Sequence, residues 1–512
     1  MQNNPSCERA SQRTINSMAS FFRKKPYLVG LLLCLIVSTI YFYCTACTIE
    51  NVFVPTGRDY YPYLLDALFH GRTNIVSYNH FDLSLFENKW YLYYGPAPIL
   101  LILPFYLVSH LQASDVLYST IGGIINVALF YGVIQAFKKC FQFSLSLMAE
   151  AFLVLSFGLA SPNFFLSVAR EMSYTVQIFA MTYLLLFYLW YFRFLKSKKH
   201  WQLVLSTVFF CLACLSRYTF VFHGILFLYV FVHDKRSGRA IPAKIILSLA
   251  LIMLAFISLE ALYNFMRFHN VLETGLRFQV GAPRFAAIMK SNHILSVRYV
   301  LHNVYYCFVN SIRFSPSDPP VVIDPEGNNI FSVYPALLLL PGLIYTKKYA
   351  NKKKISFLLI SGFMIGLNIF MLMLYFATGW IQFGYRYFFD VLPLLFLLLA
   401  FILPFIPILI QIGLLLYGIF VNFYGIIAFY SVSSLYGVSY GTSIGTPRVG
   451  ETLFWIVFGT SIGAFLTTGR LERNLTAEMP SRAKRVSFLT WNRVRTATMM
   501  DVKNEKTTEV EH

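Results

Sequence analysis

The sequence predicts an all-α protein that crosses a membrane about twelve times. Of its 512 residues, 57% are hydrophobic and only 13% are charged, whereas soluble domains are roughly 45–50% apolar and about 25% charged. Apolar runs of roughly 20 residues, the length that spans a bilayer, recur along almost the whole chain. No stretch is left for a sizeable soluble domain, so any chemistry must take place in or against the bilayer.

The predicted spans define the domain organisation. A basic segment over 1–26 precedes a membrane domain over 27–468, and a basic, polar tail follows over 469–512. Pro404 and Pro407 divide one long apolar stretch, because proline lacks an N–H and fixes φ. The spans are predicted at 27–47, 116–137, 143–160, 174–191, 203–215, 218–232, 245–264, 331–345, 355–376, 391–403, 407–430 and 453–466. An even number of spans places both termini on one side of the membrane.

The basic residues select the orientation of the chain. With both termini in the cytoplasm, 29 of the 42 Lys and Arg lie on the inner side, as the positive-inside rule requires. The formal charge of +19 is then a topology signal and indicates no nucleic-acid partner. The outer loops of this topology are predicted at about 48–115, 161–174, 265–330, 377–390 and 431–452.

The basic residues of the outer loops are mostly of one type. Of these 13 residues, 11 are Arg and 2 are Lys, whereas the inner 29 comprise 17 Lys and 12 Arg. The planar guanidinium group binds phosphate or carboxylate through two hydrogen bonds and keeps its charge when partly buried. The bias favours an outer face that holds anions. For any single arginine, pairing with a loop carboxylate or a lipid headgroup is at least as good an interpretation.

The first outer loop holds the strongest catalytic candidate. The pattern predicts an amphipathic surface helix over 59–70, with Asp59 and Asp66 on its polar face. Asp59 has two interpretations: it caps the helix, or it is a general base beside Arg58. Asp66 either assists it or is solvated. The apolar piece over 90–108 contains three prolines and is predicted to be a surface or re-entrant segment that roofs a cavity with the helix.

Further charged candidates lie in later outer segments, each at the edge of a span. Arg170 and Glu171 form either a surface salt bridge or a functional pair near the membrane, and Arg217 lies at a similar depth. Arg267 and Arg277 alternate with aromatic residues, which suits either a sugar-phosphate site or an interfacial aromatic belt.

The fourth outer loop places Arg386 between two tyrosines, one of which is Tyr385. Asp390 is predicted to share its helical face, and the pair is either an anchor for the next span or part of a ligand site. The sequence contains no cluster of metal ligands, so we expect no cofactor. A divalent ion shared between Asp59 and a phosphate group stays open, as does a disulfide between Cys47 and Cys307.

Several segments together resemble the C-type superfamily of integral-membrane glycosyltransferases, which includes the protein mannosyltransferases and the bacterial transferases that modify lipid A or the lipopolysaccharide core. The similarity covers most of the membrane domain, to about residue 395, although the first loop has Arg58-Asp59 where the family more often has Asp-Glu. It is carried by GRDYYPYLLDALFHGR, NKWYLYYGPAPILLILPF, LSRYTFVF, YNFMRFHNVLETGLRFQ and FGYRYFFDVLPLL.

The resemblance implies a function and a site. It implies transfer of a sugar from a polyprenyl-phosphate donor to a lipid, glycan or protein acceptor, with inversion, at the outer face of the bacterial inner membrane. Asp59 then activates the acceptor, and the candidates to hold the donor phosphate are Arg58, Arg170, Arg217, Arg267 and Arg386. The substrate-binding set is completed by Asp66, Glu171, Asn264, Arg277 and Tyr385.

Three other functions compete with this one. A flippase for lipid-linked saccharides would place acidic residues in mid-span, and Glu150 is the one clear example in the sequence. A polysaccharide polymerase or ligase of the outer leaflet would also present arginines and carboxylates outward. A purely structural membrane protein would leave the outward bias toward arginine unexplained.

Overall fold

The fold comes from a computed structural model. It describes residues 27–48, 51–169, 171–236, 241–281, 285, 288–289, 291, 293–316, 320–322, 324–344, 346, 350–379 and 382–435. Apart from residues 27–29, all of these belong to one compact unit, Gly30–Phe465. The predicted span at 453–466, the tail over 469–512 and Arg170 lie outside the described residues.

Helices make up most of the described chain. In order, the helices are α1 (Tyr27–Thr48), α2 (Tyr61–Phe69), α3 (Ile99–Ser109), α4 (Asp115–Phe141), α5 (Leu147–Leu159), α6 (Pro162–Val168), α7 (Met172–Ser197), α8 (His200–Ser216), α9 (Leu226–Arg236), α10 (Ala243–Phe268), α11 (Val300–Val304), α12 (Ile330–Val333), α13 (Lys352–Leu374), α14 (Leu392–Leu399) and α15 (Ile408–Leu435). Short 3-10 segments at Tyr218–Ile225, Pro335–Gly342 and Arg386–Asp390 connect some of them.

Seven helical segments of the described chain are long and apolar enough to cross a membrane. They are Leu28–Ala46, Asp115–Phe141, Leu147–Val168, Met172–Ser197, Ala243–Phe268, Lys352–Leu374 and Ile408–Phe429. The chain is thus a multi-pass membrane protein, and the count of twelve spans stays a prediction. The predicted spans at 203–215 and 218–232 correspond to shorter apolar helices, His200–Ser216 and Tyr218–Phe231. The proline break is confirmed, since α14 ends at Leu399 and α15 begins at Ile408.

The expectation of an all-α fold is wrong in the loops predicted to be outer, where two small antiparallel sheets form. Strands β1 (Leu83–Phe86) and β2 (Lys89–Tyr91) make a hairpin, and β3 (Gln279–Val280) pairs with the other edge of β1. Glu87 and Asn88 form the two-residue turn with positive φ values of 47° and 59°, the conformation that matches the twist of a hairpin. Two further strands, β4 (Arg313–Phe314) and β5 (Val321–Val322), pair with each other.

The core of the membrane domain is the group of helices around α5 and α6. The pair is completely buried between its neighbours, and α4 packs against both α6 and α7. A buried hydrogen-bond network joins α1, α4 and α6. The Asn163 side chain in α6 donates to the hydroxyl of Tyr41 in α1 at 2.9 Å and accepts from Asn126 in α4 at 3.2 Å. Internal pairing of this kind is required because lipid offers no partners to polar groups.

Close contact between α4 and α6 depends on a glycine. A Cβ atom at Gly123 would lie 1.8 Å from Ser167 Oγ and 2.6 Å from Ser167 Cβ, whereas a Cβ atom at Gly132, nine residues further along the same helix, would approach nothing closer than 3.7 Å. Small residues at helix contacts allow such close approach of backbones in membranes.

We expect Gly123→Ala to destabilise the protein by about 1–3 kcal/mol, because α4 and α6 must separate or Ser167 must move. Gly132→Ala is the matched control and is expected to be neutral or slightly stabilising, since alanine is the better helix former. Thermal unfolding of both variants in the same detergent measures the difference. Equal midpoints for the two would contradict the assigned contact.

Candidate active site

Asp59 lies in the turn between α1 and α2, outside the membrane-spanning segments. Its side chain is only 4% exposed, and its Oδ1 accepts a 2.9 Å hydrogen bond from the backbone N–H of Tyr61, the first residue of α2. Its Oδ2 has no hydrogen-bond partner among the described residues. One oxygen therefore serves the start of the helix, and the other remains available for chemistry.

The environment of Asp59 favours the protonated carboxyl group. Burial raises its pKa to about 7, and the negative charge of Asp115 adds to the increase. The backbone N–H of Tyr61 and the hydroxyls of Thr175 and Tyr118 act in the opposite direction. A carboxyl group with a pKa near neutrality can exchange a proton with a substrate at physiological pH.

Asp59 lines a cavity of about 180 Å³. Asp115, in the first turn of α4, lines the same cavity and accepts hydrogen bonds from the backbone N–H and hydroxyl of Thr56. Tyr118 lines the cavity as well, and its hydroxyl lies close enough to the Asp59 carboxyl group to lower the pKa of that group. The remaining lining residues are Pro55, Thr56, Gly57, Pro62, Tyr63, Leu111, Gln112 and Ala113. No residue of the 90–108 segment lines this cavity, so the predicted cavity roofed by that segment and the helix stays a prediction.

Arg58 does not pair with its neighbour Asp59. Its Nη1 donates to Glu171 Oε1 at 2.8 Å, and both side chains are about one quarter exposed. The ion pair ties the first outer loop to the start of α7, 113 residues away in sequence. It brings together two predicted site residues that the sequence had assigned to separate pairs.

The hairpin supplies an acidic residue that the sequence analysis missed, Asp82, immediately before β1. Its carboxylate accepts hydrogen bonds from the Gln279 amide and, at 3.4 Å, from the Tyr93 hydroxyl. Its pKa is raised to about 6, mainly by burial and then by the charge of Glu171, against the opposing effects of the Gln279 hydrogen bond and the charge of Arg386. Asp82 therefore lies within electrostatic range of both predicted site residues.

Arg386 is buried with 5% exposure and is not paired with Asp390, contrary to the sequence-based expectation. Its Nη1 donates to Ser173 Oγ at 2.9 Å and its Nη2 to the Gly379 carbonyl at 3.0 Å, while Nε has no acceptor within the described chain. Residues Arg386–Asp390 form a 3-10 segment with three residues per turn, so positions four apart do not share a face. The partner of Asp390 is Arg217, at 3.0 Å.

Two of the predicted arginines meet at one aromatic ring. The Cζ atoms of Arg217 and Arg386 lie 5.5 Å and 5.1 Å from the centroid of the Tyr387 ring. Each guanidinium also has a buried Nε without an acceptor in the part of the chain described. Two guanidinium groups with unused donors on a shared platform are suited to hold an anion.

Other predicted site residues are occupied by contacts within the protein. Arg267 is buried and donates to the Leu92 carbonyl and, at 2.6 Å, to Asn264 Oδ1, so it fastens α10 to the end of the hairpin. Arg277 is exposed and pairs with Glu273 at 2.6 Å. These contacts fit structural roles for Arg267, Asn264 and Arg277.

Two members of the predicted set lie apart from the Asp59 cavity lining. Asp66 contacts Arg72 and Tyr106 at 3.4 Å and 3.3 Å. It does not share a helical face with Asp59, because α2 begins only at Tyr61. Tyr385 is fully buried behind Tyr387, and its hydroxyl has no partner among residues that the structure describes.

The described residues contain no group of three or more His, Cys, Asp or Glu side chains able to hold a metal ion. Independence from metal ions stays a prediction. The side chain of Cys47 lies outside the described residues, so a disulfide with Cys307 is likewise untested.

Comparison with known proteins gives structural neighbours only. No protein-family model matches the chain, and no curated protein matches it. Among solved structures that align with it are three of the oligosaccharyltransferase AglB from the archaeon Archaeoglobus fulgidus: an apo form (12% identity, TM-score 0.43, 86% of this chain), a form tethered to an acceptor peptide with the NVT sequon (14%, 0.41, 88%), and a complex with an inhibitory peptide and a dolichol-phosphate (13%, 0.35, 89%). This chain covers 56% of the length of each of them.

Proposed function

We propose that this protein is a membrane glycosyltransferase that moves a sugar from a polyprenyl-phosphate donor to a lipid, glycan or protein acceptor at the outer face of the membrane, with inversion. The observation that carries the proposal is Asp59: a buried carboxyl group outside the spans, with a free Oδ2, beside a cavity. The reactive bond of a lipid-phosphate sugar lies at headgroup level, where such a base meets it.

The reaction requires one proton acceptor and a site for the leaving phosphate. The acceptor hydroxyl gives its proton to Asp59 Oδ2, and its oxygen attacks the anomeric carbon of the donor sugar. The bond from that carbon to the phosphate oxygen breaks, and the electron pair leaves with the polyprenyl phosphate. Arg386 and Arg217, with free Nε donors, would stabilise the charge that develops there. Because phosphate is a good leaving group, a separate general acid is not required.

The acidic residue that the flippase alternative invoked has a partner. Glu150, predicted at mid-span, lies in the first turn of α5 and is paired with Lys138. Its charge is therefore compensated near a helix end. Binding of donor without turnover remains the experimental signature that would favour a flippase.

We expect Asp59→Asn to abolish transfer, because the amide cannot accept the acceptor proton, while the protein stays folded and inserted. The assay is transfer from a panel of polyprenyl-phosphate sugars to crude lipid and glycan acceptors by purified protein. Asp66→Asn is the matched control, since Asp66 is a second carboxylate of the same loop that does not line the cavity, and it should retain near-normal rates. Normal turnover by Asp59→Asn would overturn the assignment of the base.

The pH dependence provides an independent check on the same base. Asp59 must be ionised to accept a proton, so kcat/KM should rise as pH increases through about 7, the pKa of the buried carboxyl. Asp115→Asn removes the neighbouring negative charge that raises this pKa, so the rising limb should move to lower pH. Glu87→Gln changes a carboxylate in the exposed hairpin turn and should leave the limb in place. If Asp115→Asn leaves the rising limb of the kcat/KM profile at the same pH, the group that titrates there is not Asp59.

We expect Arg386→Lys to lower kcat/KM by roughly 100-fold, because lysine keeps the charge and loses the planar set of donors. Arg277→Lys is the matched control on an exposed arginine and should stay within about twofold of wild type. Steady-state kinetics with the donor at varied concentration provide the measurement. Equal kinetics for the two variants would exclude Arg386 from the donor site.

A further inference from the structure

Helix α10 carries a polar stripe in its outer half that the proposed reaction does not use. Glu260, Tyr263, Asn264 and Arg267 are spaced i, i+3, i+4 and i+7 and share one face. Most apolar side chains of the helix, such as Leu262, are exposed to the surroundings. An ionisable residue within a membrane span is costly and by default indicates function.

The stripe is incompletely satisfied. Glu260 Oε1 accepts a 2.8 Å hydrogen bond from the Tyr218 hydroxyl, but the buried Oε2 has no donor within the described residues. Tyr263 is 9% exposed, and its buried hydroxyl likewise has no partner in that part of the chain. A buried polar atom without a partner costs free energy unless a ligand or water supplies one.

The charge distribution around these atoms discriminates between classes of ligand. The Cζ of Arg267 lies 3.8 Å from the centroid of the Tyr263 ring, so one face of that ring already holds a cation. A ligand ammonium group at Tyr263 would meet this positive charge. Neutral hydroxyl groups would not, and they can donate to the carboxylate and exchange a hydrogen bond with the phenol.

The stripe lies next to the candidate active site. Tyr61, two residues after Asp59, is within electrostatic range of Asp59, Tyr218 and Tyr263, and its hydroxyl donates to the Gly95 carbonyl at 2.9 Å. Gly95 in turn contacts the end of α8, where a Cβ atom would be 1.7 Å from the Leu215 carbonyl oxygen. The buried Tyr61 side chain therefore lies near both the stripe and Asp59.

We propose that Glu260, Tyr263 and Tyr218 form a subsite for two neighbouring hydroxyl groups of the sugar on a membrane-bound substrate. One hydroxyl donates to Glu260 Oε2, and its neighbour pairs with the Tyr263 hydroxyl. This subsite rests on the proposed transferase function for its biological role, although its ligand chemistry is testable without turnover.

The first experiment measures binding alone. Protein in lipid nanodiscs is titrated with decyl glucoside below its micellar concentration, and the midpoint of thermal unfolding is recorded. A parallel titration uses decyltrimethylammonium as the cationic counterpart. We expect a stabilising shift with the glucoside in wild type, and at least a tenfold weaker apparent affinity in Glu260→Leu and Tyr263→Phe. Leu262→Ala, on the exposed apolar face of α10, is the control and should behave as wild type. Equal affinities for all proteins, or a shift with the ammonium compound only, would overturn the subsite.

The second experiment uses turnover and a series of donors that each lack one sugar hydroxyl. Tyr263→Phe removes a single oxygen and should lower kcat/KM roughly tenfold for the parent donor. For the one deoxy donor that lacks the contacted hydroxyl, the variant and wild type should have the same kcat/KM. Equal effects on all donors would contradict the assigned contact. Absence of transfer by wild type, with glucoside binding lost in the variants, would contradict the transferase proposal and leave the subsite intact.

Discussion

The cost of burying charge at the membrane boundary is the constraint on which the rest of this structure depends. Within the bilayer or against it, a carboxylate or guanidinium group is tolerated only if other groups satisfy it. Most polar groups of the described core obey this rule, as the network of Asn126, Asn163 and Tyr41 does. The exceptions include Asp59 Oδ2, the Nε atoms of Arg217 and Arg386, and two atoms of the polar stripe of α10. A ligand that forms a hydrogen bond with such an atom therefore gains more binding free energy than one that contacts a satisfied group.

The loops predicted to be outer contact one another and so position several of these unsatisfied atoms. The hairpin is held by β3 from the third outer loop and by Arg267 of α10, which donates to the Leu92 carbonyl. The ion pair between Arg58 and Glu171 fixes the first loop to α7. The charges of Glu171 and Arg386 consequently act on Asp82, although the three residues belong to separate parts of the chain. The proposed transferase reaction requires groups that neighbouring residues already hold in place, because such groups stabilise the transition state without first having to move.

The sequence predicted the features that depend on local pattern. The membrane class, the surface helix with Asp59 at its base and the break near Pro404 all follow from composition, periodicity or proline chemistry. The hairpin has only a weak local signal, namely apolar residues on both sides of the polar pair Glu87-Asn88. Partners distant in sequence carried no such signal: Arg58 meets Glu171 across 113 residues, and Arg217 meets Asp390 across 173. For the same reason Asp82 was missed, since its importance depends on charges contributed by α7 and the fourth loop.

Tyr61 has a consequence beyond its packing. Its backbone N–H donates to Asp59 Oδ1 and its hydroxyl donates to the Gly95 carbonyl, which lies against the end of α8. A ligand that displaces Tyr61 at one of these contacts therefore disturbs the other. The two occupancies are then thermodynamically linked, and the linkage must be reciprocal: whatever factor one bound group applies to the affinity of the second, the second applies to the first. A single aromatic side chain, anchored through the Gly95 carbonyl, would then couple occupancy of the proposed sugar subsite to the position of the proposed base, Asp59.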